Sequence, residues 1–241
     1  MTAIPAAPFP IVRSRFTARY MGQIPFDVVA FDLDGTLADT ALDLTASLNH
    51  ALRALGRPPI PAEQVRRMVG HGVRALLSKG LAATGEVSDD LIEQNLPLLL
   101  QYYADHIADH TRPYDGVEAA LTALDAQGVK LAICTNKLES LTHALVTTLG
   151  WQGRFAAIIG GDTLPQRKPD PAPVHEAIAR AGGGRAAFVG DSISDTDAAR
   201  AAGIPCVALT FGFSDRPADQ LGANALIDHW DQLLPALERL V

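Results

Sequence analysis

Four aspartates and one lysine stand where this chain could do chemistry rather than pack a core. Asp32 and Asp34 fall in Asp32-Leu33-Asp34-Gly35-Thr36, directly after the apolar run Val28–Phe31. Thr135-Asn136-Lys137 follows a second apolar run, 129–134, and Gly160-Gly161-Asp162 a third, with Lys168-Pro169 shortly beyond. Gly190-Asp191-Ser192 follows a fourth, with Asp195 one helical turn on. Successive residues of an extended chain point to opposite faces, so Asp32 and Asp34, two apart, can address one site. Asp32 can then attack phosphorus while Asp34 reaches the leaving oxygen. Carboxylates gathered in one crevice raise each other's pKa. A hard divalent cation relieves that conflict, and Mg²⁺ is the usual choice where a few carboxylates and a substrate phosphate share it.

The elements that must position these residues are legible as apolar runs. Five recur: Val28–Phe31, 129–134, 156–159, 186–189 and Cys206–Leu209. Short apolar runs without alternation suit strands covered on both faces. Helical patterns lie between them over Val117–Ala126, 138–149, 173–181 and 196–202, several ending at glycine. This alternation predicts an α/β fold, a Rossmann-like, doubly wound parallel sheet, whose ligands bind beyond the carboxyl ends of the strands. The interval between the first two runs shows no strand signal. Leu44, Leu48, Leu52 and Leu55 repeat at helical spacing, a second helix is expected from Pro61, and a third over 89–110, where Pro97 should kink or split it. The predicted organisation is a leader over 1–26, an α/β core over 27–40 and 112–241, and an inserted all-helical cap over 41–111.

With these motifs in order, Asp32-Leu33-Asp34-Gly35-Thr36-Leu37, Thr135-Asn136, Lys168-Pro169 and Gly190-Asp191-Ser192 with Asp195, the chain resembles the haloacid dehalogenase superfamily of phosphatases over about 27–213. It is most similar to the bacterial phosphoglycolate phosphatases. The resemblance implies that Asp32 is the nucleophile that becomes an aspartyl phosphate. It implies that Asp34 protonates the leaving alkoxide and then activates water, its backbone carbonyl on the metal. Thr135 and the Asn136 amide would bind the phosphoryl oxygens, and Lys168 would offset charge on Asp32 and the phosphate. Asp32, Asp34, Asp191 and Asp195 make the implied Mg²⁺ set, Asp195 as an indirect partner. Ile193-Ser194 departs from the residues often seen in the family at that point, and Asp34 itself is absent from the dehalogenase branch. In the cap, Gly70-His71-Gly72-Val73 resembles the loop that phosphoglycolate phosphatases present to substrate. His71 or Arg167 is the candidate partner of a substrate carboxylate.

The bulk numbers bound these readings. Net charge is −7, which argues against a general nucleic-acid binder and leaves a small phosphorylated metabolite as the expected partner. No stretch has the ~18 apolar residues of a membrane span. Cys134 and Cys206 lie inside apolar runs without metal-ligand spacing, which fits reduced thiols and a cytoplasmic protein. The first 26 residues carry Arg13, Arg15 and Arg19 and no acid, which reads as a flexible leader ahead of an alternative initiator at Met21, or as a transit peptide. No sequence feature specifies an oligomeric state. Rival readings are a pyrophosphatase, a sugar-phosphate phosphatase, a β-phosphoglucomutase-like enzyme and, from a different class, a catalytically silent phosphate or metal sensor.

Overall fold

The computed structural model describes residues 22–214 and 216–240. Residues 1–21 of the expected leader, with its three arginines and Met21, lie outside them. The end of that segment is already core: Ile24 and Phe26 are buried, and the Ile24 N–H donates to Gln127 Oε1 at 2.9 Å. Packed chain therefore begins before the boundary expected at 26, because two large apolar side chains there have a sheet face to cover.

A six-stranded parallel sheet runs in the order β5-β4-β1-β6-β7-β8. Its strands are β1 (Val28–Phe31), β4 (Lys130–Cys134), β5 (Ala157–Ile159), β6 (Ala186–Gly190), β7 (Cys206–Leu209) and β8 (Ala225–Ile227). Each of the five apolar runs is one of these strands. The edge strand β8 carries no such signal, because Asn224, Asp228 and a half-exposed face interrupt its apolar character. Helices cover both faces, as continuous apolar strands require. α5 (Val117–Ala126) and α9 (Leu233–Glu238) close over one face with Phe31, Leu131, Val207 and Trp230. α7 (Ala172–Arg180) and α8 (Ile193–Ala201) close over the other with Ala30, Ala132 and Phe188. α6 (Glu139–Thr148) follows β4.

Strand register fixes the site. Phe31 lies level with Ile133 of β4 and with Val189 of β6. The chain therefore delivers Asp32, Thr135 and Asp191 side by side just past the carboxyl edge of the three central strands. That edge is where open α/β sheets take their ligands.

The insertion is all-helical: α1 (Ala41–Ala54), α2 (Ala62–Arg66), α3 (Val73–Thr84) and α4 (Asp89–Asp105). Leu48, Leu52, Leu76, Leu77, Leu81, Leu99 and Tyr103 form a core of their own. Pro97 does not split α4, which runs unbroken across it. The carbonyl its missing N–H would have bonded belongs to the exposed residue Glu93, which solvent can reach. The insertion leaves and rejoins the core through two short antiparallel strands, β2 (Ala38–Asp39) and β3 (Arg112–Pro113), which sequence patterning does not reveal at two residues each. Buried Asp43 pins the return: its carboxylate accepts from the N–H groups of His110 and Thr111 and from the Thr111 hydroxyl at 2.6 Å. The fold is thus a Rossmann-like core carrying an inserted helical cap.

Candidate active site

Asp32 is buried at the end of β1, and its Oδ1 has no hydrogen-bond partner among the described residues although Lys168 Nζ lies 3.1 Å away. Burial pushes its carboxyl up to about 6; Lys168 opposes this, and Asp195 and Asp34 add to it. Asp191, at the end of β6, accepts from the Thr36 hydroxyl at 2.8 Å and from the Phe213 N–H at 2.6 Å. Burial, together with Asp195 and Asp32, holds Asp191 well above the usual carboxylate range. One oxygen from each of Asp32, Asp191 and Asp195 lies within 4.8 Å of the others. Three converging carboxylates, two of them unwilling to ionise in this burial and one with an orphaned oxygen, are the donor set a hard divalent cation fits.

The backbone makes room for this cluster at two glycines. Gly35 has φ +83°, and a Cβ there would stand 2.4 Å from Asp191 Oδ2. At Gly212 a Cβ would stand 2.1 Å from the Asp191 Cβ. Neither place accepts a side chain while Asp191 stays where it is.

Asp195 does more than the sequence suggests. Its Oδ1 accepts from Lys168 Nζ at 2.5 Å. Its Oδ2 accepts from the N–H groups of Asp191 and Ser192 and from the Ser192 hydroxyl, closing a capping box that starts α8. That box also explains why α8 begins at Ile193 rather than near 196. The role of helix cap and the place beside Asp32 and Lys168 therefore coexist in one side chain. Alone, burial would push the Lys168 ammonium down, but Asp195 and Asp32 more than offset it and its pKa ends above the usual lysine value.

Asp34 stands apart from that cluster. Its side chain turns to Lys137, whose Nζ is 3.0 and 3.3 Å from the two carboxylate oxygens and also bonds the Tyr103 hydroxyl of α4. Lys137 is buried, and burial pushes its pKa down while Asp34 opposes the shift. Sequence reasoning places Lys137 in the motif yet assigns it no role. The available signal is its position immediately after Asn136 and at the start of the loop into α6.

Asn136 spends its side-chain N–H groups on the carbonyls of Gly70, at 2.9 Å, and Lys168, at 3.1 Å. Its side chain therefore braces the cap loop against the core. Thr135 is buried beside Asp32, and its hydroxyl bond favours the ionised Asp32. A cavity of about 30 Å³ lies in front of the two aspartates, walled by Leu44, Val69, Val73, Leu76 and Leu141 together with Gly70, Gly72, Thr135, Lys137 and Tyr103. Gly70 and Gly72 thus reach the site as the loop motif implies. His71 and Arg167 do not: both are exposed and stand outside that wall. His71 instead contacts the Ser194 hydroxyl through Nδ1 at 3.2 Å.

Comparison with known proteins gives the same picture. The model of the haloacid dehalogenase-like hydrolases matches residues 29–209. A phosphoglycolate phosphatase of Mesorhizobium japonicum is 46% identical over 219 residues, covering 89% of this chain and 96% of that protein. One of Caulobacter vibrioides is 44% identical, covering 83% and 85%. The crystal structure of a predicted phosphoglycolate phosphatase from Haemophilus somnus superposes with a TM-score of 0.82 at 31% identity, covering 87% of this chain and 97% of that one. With the ordered motifs converging on one crevice of such a fold, the chain belongs to the haloacid dehalogenase-like hydrolase family.

Proposed function

We propose that this protein is a phosphatase that hydrolyses 2-phosphoglycolate to glycolate and inorganic phosphate through a phospho-enzyme on Asp32. The observation that carries the reading is Asp32 itself: a buried carboxylate whose Oδ1 accepts no hydrogen bond among the described residues, with Lys168 Nζ 3.1 Å away, at the edge of a cavity walled by core and cap. The substrate follows from the relatives, whose names agree across 46% and 44% identity and most of their length.

In the first half-reaction an Asp32 oxygen forms a bond to phosphorus as the ester P–O bond breaks, and Asp34 gives its proton to the departing alkoxide. Water then attacks the aspartyl phosphate, Asp34 takes its proton, and phosphate leaves with Asp32 restored. Lys168 and the Thr135 hydroxyl balance the charge on the nucleophile and the phosphoryl oxygens, in keeping with a reaction governed by positioning and electrostatics. Asp32 and Asp191, with the Asp34 carbonyl and Asp195 behind them, would hold Mg²⁺. When bound, that ion screens the carboxylates and the phosphoryl charge. The cap supplies the apolar walls that exclude water and hold substrate.

Two free, buried cysteines support a reducing cytoplasm, and no described helix is long and apolar enough to cross a membrane. A panel of phosphate esters tests the substrate. Turnover of 2-phosphoglycolate is expected to exceed the others in kcat/KM, and parity with generic esters overturns the assignment.

A further inference from the structure

The phosphoryl end of the substrate has its partners in the acidic cluster, but a carboxylate at the other end needs donors of its own. Among the described residues lining the cavity, Lys137 is the only cation, and Asp32 and Asp34 are the only acids. Lys168 is committed to Asp195 and Asp32. The remaining wall is mostly aliphatic, where an anion without a partner is expensive to bury.

We propose that Lys137 and Tyr103 together form the carboxylate subsite, a pair of donors split between core and cap. This rests on the phosphoglycolate reading and deepens it. An ammonium carries three protons; one faces the Asp34 carboxylate and one the Tyr103 hydroxyl, which leaves a third for a ligand. By accepting from Lys137, the Tyr103 oxygen keeps its own O–H proton to donate. Two adjacent donors, one from the core and one from the cap, then face the cavity together, a match for the two oxygens of a carboxylate. Chain length agrees. Asp34 must reach the ester oxygen, and Lys137 lies 3.0 Å from Asp34, so an anionic group only one carbon beyond that oxygen falls within its reach. In longer substrates the charge would be carried past it, towards the aliphatic wall.

The test compares 2-phosphoglycolate with 2-hydroxyethyl phosphate, which keeps the ester and loses the carboxylate, in wild type, Lys137→Met and Tyr103→Phe. Lys137→Met is expected to lower the ratio of the two kcat/KM values about 100-fold, chiefly through KM for 2-phosphoglycolate. Tyr103→Phe, which conserves packing, is expected to lower it several-fold, so the idea stays testable if the lysine variant folds poorly. Parallel losses on both substrates, with the ratio unchanged, would mean that the lysine only positions Asp34, and would overturn the subsite. A wild type that prefers carboxylate esters and variants that keep the preference remove the subsite alone. If the wild type shows no such preference, the substrate assignment fails and takes the subsite with it.

Discussion

Two buried lysines, Lys168 and Lys137, sit close to the paired aspartates Asp32 and Asp34, and their surroundings differ in kind. Lys168 is held entirely by the α/β core, bonded to Asp195 in the first turn of α8 and beside Asp32 at the end of β1. Lys137 comes from the core as well, but it shares its charge between Asp34 and a tyrosine of the cap. Its surroundings are aliphatic, and burial pushes its pKa down where that of Lys168 ends raised. The contrast teaches a division of labour. In the proposed reaction, the phosphoryl half of the site draws its charges from the core, and the leaving-group half lies where cap and core meet.

The comparison breaks most sharply at the nucleophile. Asp32→Asn is expected to lower kcat by roughly 10⁴-fold or more, with circular dichroism unchanged and Mg²⁺ binding kept in part. Unaltered turnover would remove Asp32 from the chemistry. Next comes Lys168→Met, expected to cost roughly 10³-fold in kcat on every ester tested. It should also destabilise the fold by about 3–5 kcal/mol in urea titrations, since two buried carboxylates lose their cation. An effect confined to carboxylate-bearing esters would erase the distinction between the two lysines.

Acidity gives a third separation. The pKa of Asp32 in the fold, about 6, lies above that of an unfolded aspartate, so the protonated form favours folding. Its contribution is full below about pH 4 and is lost as pH rises through 6. With chelator present, the melting temperature should therefore fall by several degrees between pH 5 and pH 7.5 relative to a sample in excess Mg²⁺, the difference shrinking in Asp32→Asn. A chelator effect equal at both pH values would contradict the acidic cluster as the metal site.

The smallest effect is expected at the cap's outer edge. Arg66 of α2 pairs with Asp39 of β2 and lies 5.0 Å from the centre of the Phe213 ring, the residue whose N–H bonds Asp191. Both partners are about one-third exposed, so Arg66→Ala should cost no more than about 1 kcal/mol and raise KM a few-fold on all esters alike. A change in ester preference would show that this edge, too, reads the substrate.

Asp32 and Asp191 were legible because each follows an apolar run, and parallel strands in register bring such residues to one edge; Asp195 was legible as the acid one helical turn beyond Asp191. The division of roles was less legible. That the Asn136 side chain spends its N–H groups on the carbonyls of Gly70 and Lys168 is a long-range contact that no local pattern shows. His71 and Arg167 are plausible anion partners by type, but both are exposed and neither lines the cavity.

From its own order of residues, this chain determined a parallel sheet, a helical insertion after the first strand, and a row of aspartates at strand ends, since all three rest on local periodicity and on the geometry of a strand. Only the tertiary structure decided that Lys137 meets Tyr103. Those residues are 34 apart and belong to different folding units. Their contact depends on how one set of packed helices leans on the sheet, which no pattern within either segment encodes.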